Sequence, residues 1–158
     1  MNPSNQHTQS QLLQDRTDFV KRCNENLNVM VKSRLSQMED LSRFKKSRFT
    51  HSKRIYLEAV KGTYIGETEA GKPRGFGAIE YDNGDYLEGE FNDGRCEGRG
   101  RYIKKNGSYY EGDFRNNVAD GFGKYFDRSG YKYEGLWKNN MANGKGEAHY
   151  LDSSRYNG

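Results

Sequence analysis

The segment from Gly66 to Lys72 is the part of the sequence closest to a nucleotide-binding motif. Its glycines and lysine have the spacing of a phosphate-binding loop, in which backbone N–H groups surround the phosphates. That loop requires Ser or Thr after the lysine to contact magnesium, but Pro73 stands there and no helix is expected to follow. We therefore predict no nucleotide or other cofactor site.

The side chains that most often hold metals or act as nucleophiles are few and scattered. None of them has the short spacing that is typical of zinc ligands. We predict no metal site, and we expect the cysteines to be reduced thiols, as in cytosolic proteins. The residues are His7, His51, His149, Cys23 and Cys96.

Acidic side chains recur at regular intervals, and pairs of carboxylates can perform acid–base catalysis. Each of them alternates with aromatic or glycine residues, so on a strand they would all project from one solvent-facing side. There they can pair across strands with Arg101 or Lys124, which favours a pairing role over catalysis. We predict no catalytic residue and no enzymatic activity. The carboxylates are those of Glu88, Glu90, Glu111, Asp113 and Glu134.

These regular intervals come from an internal repeat with a step of 23 residues. Sets of equivalent residues keep this step across four copies, which indicates one structural unit repeated along the chain. The first set is Tyr64, Leu87, Tyr110 and Tyr133, and the second aromatic set is Thr68, Phe91, Phe114 and Trp137. The repeat-defining glycines are Gly66, Gly89, Gly112, Gly135, Gly77, Gly100, Gly123 and Gly146.

Each copy predicts a β-hairpin. Residues two apart share one face of a strand, so Tyr110, Gly112 and Phe114 leave a gap between two rings, into which a neighbouring ring can pack. Asn106-Gly107 is a strong hairpin signal at the end of a copy, and the Gly-x-Gly pair is predicted to form the turn between the two strands. Since one hairpin is marginal in water, the hairpins should stack into an antiparallel meander. We predict a mostly β fold, an elongated single-layer ribbon on the order of 40 Å long.

The pattern Tyr-Glu-Gly-x-Phe/Trp, followed by Gly-x-Gly and Asp/Asn-Gly, resembles the MORN repeat. Residues 110–114 and 133–137 match it closely, and the resemblance extends from about Tyr64 to Gly158. It implies modules that bind proteins or phospholipids. Short arrays of this kind are frequent in cilia and flagella, notably in radial spoke heads, and in the cortex of protists. Departures that we expect to be tolerated as surface variation or as weakening of the first copy are Thr68, Leu87, Asn117 and Asn140.

Both ends of the array predict incomplete copies. Counting back one period places the second strand of a half copy at Ile55–Val60, with Arg54 in the glycine place. A fifth copy begins at Tyr156, so we expect further repeats in a longer protein. The ribbon is assigned to residues 52–158, with a half-repeat cap, four full repeats and the start of a fifth.

The amino-terminal part has neither Gly nor Pro from Ser4 to Lys61, which favours helix. Apolar residues at three- and four-residue steps predict a long amphipathic α-helix over residues 10–48 with a basic end, after a disordered tail at 1–9. A lone helix needs a partner for its stability. It could fold back on the aromatic ribbon or dock on another protein, and we favour docking because a thin ribbon cannot cover so long an apolar stripe. The apolar residues are Leu13, Val20, Cys23, Leu27, Met30, Leu41 and Phe44, with Phe19, Val31, Leu35 and Met38 beside them.

A basic stretch follows this predicted helix. It is either a solvated linker or an anchor that contacts an acidic protein surface, such as tubulin, or an anionic lipid. We predict no nucleic-acid binding, because the adjoining ribbon is not basic. The residues of this basic anchor are Arg43, Lys45, Lys46, Arg48, Lys53 and Arg54.

The composition limits the location and the type of core. Aromatic residues make up 13% of the chain and the net charge is only +4, so tyrosines must supply much of the apolar surface. No apolar run approaches the roughly 20 residues of a membrane-spanning helix, and the amino terminus lacks the apolar core of a signal peptide. We expect a cytoplasmic, cytoskeletal protein, most specifically one of the ciliary or flagellar axoneme.

Together these features predict a non-enzymatic scaffold of a cytoskeletal assembly, in which the aromatic side of the ribbon binds a partner protein. Two alternatives stay open: a phospholipid-binding membrane tether and the regulatory repeat region of a longer enzyme. The side chains predicted to bind the partner are Tyr64, Phe91, Tyr110, Phe114, Tyr133 and Trp137.

Overall fold

The computed structural model describes Met30–Val31, residues 53–150 and residues 154–158. Met30 and Val31 have helical backbone. The rest of the helix predicted over 10–48, and the tail predicted at 1–9, lie outside the described residues, so their boundaries stay predictions. The same holds for Arg43, Lys45, Lys46 and Arg48 of the basic anchor.

Ten antiparallel strands form one sheet in which each strand pairs with the next along the chain. The prediction of a mostly β, antiparallel meander is therefore confirmed, and the sheet does not close into a barrel. The strands are β1 Lys53–Leu57, β2 Gly62–Glu69, β3 Lys72–Tyr81, β4 Tyr86–Asn92, β5 Arg95–Ile103, β6 Tyr109–Arg115, β7 Val118–Phe126, β8 Lys132–Lys138, β9 Met141–His149 and β10 Arg155–Asn157.

The two strands of each repeat are joined by a two-residue turn in which both residues have positive φ. Such type I′ turns match the twist of the flanking strands. The prediction that the Gly-x-Gly pair forms this turn was wrong. The pair lies inside the second strand, where Gly98 has a φ of 81° opposite the register shift that follows Gly89. The turn pairs are Ala70-Gly71, Asp93-Gly94, Asn116-Asn117 and Asn139-Asn140.

Strand β1 caps the array, but its register differs by one residue from the prediction. Lys53, not Arg54, pairs with Gly66, so Lys53 occupies the glycine place. The connection from β1 to β2 contains one additional residue, since the paired Lys53 and Gly66 are 13 residues apart whereas the paired Gly77 and Gly89 are 12 apart. A shift of one residue moves each side chain to the other side of a sheet. Arg54 therefore projects to the side of Glu80, and its Nη2 lies 3.3 Å from the Glu80 Oε2.

The aromatic face is the side of the ribbon that carries Tyr64, Phe91, Tyr110, Phe114, Tyr133 and Trp137. Its rings pack over the glycines of the strands. A Cβ at Gly112 or at its cross-strand partner Gly123 would fall on the ring of Tyr110, which lies over both. The gap predicted between two rings is thus filled by the tyrosine of the same strand, which also covers the glycine of the next strand. Because neither glycine has a side chain, the tyrosine ring packs directly on the backbone of both strands. This packing forms the core of the single-layer sheet.

The second repeat achieves the same packing with different residues. Leu87 takes the place of the tyrosine, and the Cys96 Sγ lies 3.1 Å from the position that a Cβ at Gly89 would take. The ring of Phe114 from the following repeat lies next to Gly100. Cys96 is a free, fully buried thiol, and burial raises its pKa, so it acts as a small apolar side chain.

The opposite face is the side that carries Ile65, Glu88, Arg101, Glu111, Lys124 and Glu134. Its accessibility changes along the ribbon. In the first half, the exposed fractions of Ile65, Tyr86 and Ile103 are at most 1%. Met30 lies against the ribbon near this half, since its Cε is 3.4 Å from the position of a Cβ at Gly107. In the second half, Phe122 and Leu136 are about half exposed and pair across strands β7 and β8.

A buried ion cluster lies on the first half of the opposite face. The Arg101 Nη1 donates to the Glu88 Oε1 at 2.7 Å and the Nη2 donates to the Glu111 Oε2 at 2.9 Å. The prediction of a solvent-facing row of carboxylates was wrong at Glu88, which is buried, because the arginine satisfies its charge. The predicted cross-strand pairs with Arg101 and Lys124 are confirmed, and Lys124 with Glu134 forms an exposed pair at 3.0 Å.

Candidate protein-binding groove

A groove of about 450 Å³ crosses the middle of the aromatic face. Seven of its eleven lining residues are aromatic, and the surface that they offer is divided almost evenly between polar and apolar atoms. The lining residues are Tyr81, Tyr102, Lys104, Tyr109, Tyr110, Phe114, Asn117, Ala119, Tyr125, Trp137 and Asn140.

The strand register positions the rings of the groove. Tyr102 pairs with Tyr110 across β5 and β6. Trp137 stands at the centre of the cluster, with its ring 5.0 Å from that of Tyr110 and 6.1 Å from that of Tyr125. The Trp137 Nε1 donates to the Gly123 carbonyl at 3.2 Å, which fixes the indole orientation. The Tyr110 and Trp137 rings meet edge to face at 73°, a contact worth about 1 kcal/mol beyond the buried area.

The groove is nearly uncharged. Burial raises the pKa of Tyr81 to about 12, and burial together with the hydrogen bond to Asp85 raises that of Tyr102 further. Burial also raises the pKa of Tyr110. These phenols are neutral at physiological pH, and Lys104 is the one lining residue with a formal charge. The arrangement suits a partner that offers apolar surface and a few hydrogen-bonding groups.

Two asparagines border the groove at the turn end of the repeats. Asn117 and Asn140 have φ of 66° and 64°, a conformation that asparagine tolerates better than most residues. Their Oδ1 atoms each accept a hydrogen bond of 2.7 Å, from the Cys96 N and the Ala119 N respectively. These bonds tie each turn to the preceding repeat. The prediction that both positions are tolerated surface variation overlooked this role.

The matches to known sequences agree with the geometry of the repeats. A family model of the MORN repeat matches residues 61–86, 88–109, 110–130 and 133–155. The chain belongs to the MORN-repeat family. The resemblance predicted from the 23-residue step is thereby confirmed. No curated protein matches the chain.

MORN repeats are typical of modules that bind proteins or membranes. Within this MORN array, the six residues predicted to bind a partner divide into two groups. Three of them, Tyr110, Phe114 and Trp137, line the groove. The other three, Tyr64, Phe91 and Tyr133, do not line it. Of the six, all but Trp137 are at most 7% exposed and belong to the core of the ribbon. Partner binding by these side chains stays a prediction.

Four further aromatic residues that line the groove were not among the predicted residues: Tyr81, Tyr102, Tyr109 and Tyr125. Tyr102 and Tyr125 are one period apart, and both lie on second strands of MORN repeats. The predicted residues came from the first-strand motif, which does not include them. Their alternation with Gly100 and Gly123 was the available signal, because residues two apart share a face. Tyr81 joins them at a ring distance of 5.8 Å from Tyr102.

The repeat-defining glycines pair with each other across the two strands of each repeat, on the aromatic face, and the four that belong to Gly-x-Gly pairs lie inside second strands and not in the predicted turns. Of the basic anchor, Lys53 and Arg54 belong to β1 and are exposed. In the described part of the chain, no group of three or more His, Cys, Asp and Glu side chains could hold a metal ion. None of the described helical residues belongs to a helix long and apolar enough to span a membrane.

Proposed function

We propose that this MORN array is a non-enzymatic scaffold that binds a partner protein through the aromatic groove. The observation that carries the proposal is a nearly uncharged wall of rings on one face of the ribbon. Aromatic residues are enriched where proteins bind each other, because they bury a large area with little loss of conformational freedom. The groove has the size of a site for one segment of a partner.

The charge distribution favours a protein over a phospholipid as the ligand of the groove. Binding of an anionic headgroup needs several cations, each of which adds about 1 kcal/mol. Lys104 is the one cation that lines the groove, and on the opposite face Arg101 and Lys124 are both engaged by carboxylates. The groove therefore offers an anionic headgroup a single cation.

The assembly that we propose is a cytoskeletal one, most specifically the axoneme of a cilium or flagellum, in a radial spoke or a similar structure. The support is the resemblance to short MORN arrays of that kind. In this proposal the amino-terminal segment docks on a second protein, and the basic anchor contacts an acidic surface such as that of tubulin. The ribbon then holds two partners at a fixed separation.

Detergent fractionation of cells that express the tagged full-length protein tests the proposal. We expect the protein to stay with the extracted axoneme, and Tyr125→Ala in the groove to release it. The matched control is Phe122→Ser, which alters an exposed ring on the opposite face and should leave retention unchanged.

Extraction of the wild-type protein together with the lipids would contradict the scaffold and favour the phospholipid tether. In that case, neutralisation of Arg43, Lys45, Lys46 and Arg48 should abolish binding to liposomes. Retention that depends on neither ring would also contradict the proposed role of the groove.

A further inference from the structure

We infer that the groove binds a proline-rich segment in the polyproline II conformation, which runs across the strands from Tyr102 to Tyr125. The inference rests on the proposed function, since it specifies the class of protein segment that the groove takes. Three properties of the groove lead to it: the spacing of its rings, the placement of its hydrogen-bond donors and its charge.

The ring spacing matches the repeat of a polyproline II helix. Tyr102 and Tyr125 lie in equivalent places on β5 and β7, two strands apart in the sheet. With neighbouring strands about 4.8 Å apart, equivalent rings recur every 9.6 Å or so. A polyproline II helix repeats every three residues, which is about 9.3 Å. Successive turns of such a segment would therefore meet successive tyrosines in the same way.

Other regular conformations fit this spacing poorly. Two turns of an α-helix span about 10.8 Å, which exceeds the ring spacing by about 1.2 Å. A β-strand presents side chains to one face about every 6.7 Å. The spacing of equivalent rings, which the MORN repeats determine, therefore matches the polyproline II conformation better than the other two.

The asparagines supply donors at the same period. A polyproline II segment makes no internal hydrogen bonds, so all its carbonyls need partners. The Oδ1 atoms of Asn117 and Asn140 accept bonds from the Cys96 N and the Ala119 N, so the Nδ2 group is the part of each side chain that could donate to a ligand. Each can donate to a carbonyl of the ligand, one repeat apart.

The charge of the groove agrees with such a ligand. With Lys104 as the one charged lining residue, a strongly acidic or basic segment would lose hydration without gaining ion pairs. Proline is uncharged, packs flat on aromatic rings and brings a preformed, low-entropy backbone. The neutral phenols of Tyr81 and Tyr102 keep the walls suited to it.

Trp137 provides a direct measurement, because it is the only tryptophan of the chain and lines the groove. Acetylated decaproline amide, which has no charge and no fluorescence, is titrated into the full chain. We expect a saturable change of the Trp137 emission. Acetylated diproline amide, whose two residues are about 3.1 Å apart and cannot reach both tyrosines, should bind at least about tenfold more weakly. An alanine-rich helical peptide of equal length should leave the emission unchanged.

Three variants assign the binding to the tyrosines. Tyr125→Ala should weaken decaproline binding about tenfold, whereas Tyr125→Phe, which keeps the ring, should bind as the wild type does. Phe122→Ser on the opposite face is the second control. Circular dichroism of Tyr125→Ala identifies any loss of fold. The comparison of Tyr125→Phe with the wild type remains valid even if Tyr125→Ala does not fold.

The outcomes separate this inference from the proposed function. If decaproline does not bind but axonemal retention still depends on Tyr125, the polyproline ligand is wrong and the scaffold stands. If the helical peptide binds instead, the spacing argument fails. If vesicles of phosphatidylserine and phosphatidylcholine change the Trp137 emission and decaproline does not, both the ligand and the protein-binding role are overturned.

Discussion

The two faces of the ribbon follow different rules. On the aromatic face, each repeat places a ring or a substitute for it over the same pair of glycines, from Tyr64 to Tyr133. On the opposite face, the row that begins with Ile65 and Ala78 continues with Glu88 and Arg101 and then with further charges. The first row is periodic and the second changes from repeat to repeat.

The residues that determine the fold are therefore in a different row from the residues that vary with what contacts each repeat. The periodic row builds the ribbon and is sufficient to define its register. The variable row reports what lies against each repeat: it is apolar or fully paired where the surface is buried, and charged where Lys124 and Glu134 are exposed. Departures from the period thus identify the places where a repeat meets something other than its neighbour.

The largest effect is expected from filling a glycine slot on the aromatic face. A Cβ at Gly112 would lie 2.5 Å from both the Gly123 Cα and the Phe122 carbonyl oxygen, and the Tyr110 ring closes the remaining space. Gly112→Val and the equivalent Gly135→Val should each lower the free energy of unfolding by about 4 kcal/mol. Urea denaturation followed by circular dichroism measures this.

Gly71→Ala is the control for that prediction. Gly71 has a φ of 78° but no atom within 4 Å of its Cβ position, so only the backbone cost of about 1 kcal/mol remains. Equal losses in Gly112→Val and Gly71→Ala would show that close packing over the glycines does not hold the ribbon together.

The next effect concerns the opposite face. Arg101→Met should cost about 3 kcal/mol, because it leaves the buried Glu88 and the neighbouring Glu111 without their shared cation. Lys124→Met changes the same row one repeat later, where the pair with Glu134 is exposed, and should cost less than about 1 kcal/mol. Chemical denaturation of both variants compares them. Similar values would mean that the two halves of this face do not differ in burial.

Asn117 tests the link between neighbouring repeats. Asn117→Ala should lower stability by about 2 kcal/mol, since it loses the bond to the Cys96 N and strains a positive φ. Asn117→Gly loses only the bond and should recover about half of that amount. Thermal unfolding of the pair separates the two contributions. Tolerance of both changes would support the earlier prediction of neutral surface variation.

The smallest effect is a pH dependence on the aromatic face. The pKa of Tyr81 is raised by burial from 10.0 to about 12, so the unfolded chain releases this proton at lower pH than the folded chain. The stability that neutral Tyr81 contributes is complete below the lower value and is lost as pH rises through the higher one. Midway between them, Tyr81→Phe should be more stable than the wild type by about 1 kcal/mol, with little difference at neutral pH. Equal stability at the alkaline pH would contradict the burial of this phenol.

The sequence predicted the hairpin ribbon because its signals are local and repeated. The step of 23 residues, the alternation around Gly112 and the Asn-Gly turns all report short-range geometry. The turn between the strands was misplaced although Asp93-Gly94 is a strong type I′ signal, because the Gly-x-Gly pair recurs in all four copies whereas the turn residues change, for example to Asn116-Asn117. The β1 register was missed because one extra turn residue shifts it, and counting by period cannot detect an inserted residue.

The candidate groove was predicted only in part. First-strand rings such as Tyr110 and Trp137 belong to a conspicuous motif, whereas Tyr125 lies on a second strand and reaches the groove through pairing with β8. The burial of Glu88 could not be predicted either. Alternation assigns a side chain to a face, but it carries no information about what covers that face.

The turns of successive repeats are joined by the same hydrogen bond, from the Gly94 N to the Pro73 O, the Asn117 N to the Cys96 O and the Asn140 N to the Ala119 O. Each repeat thus provides the carbonyl that accepts a hydrogen bond from the turn of the next repeat. The turn of each repeat donates the same hydrogen bond to the repeat before it. Duplication or deletion of one whole unit in the gene would leave every such junction intact. Evolution can therefore lengthen or shorten the molecule in steps of about 10 Å without inventing a new interface.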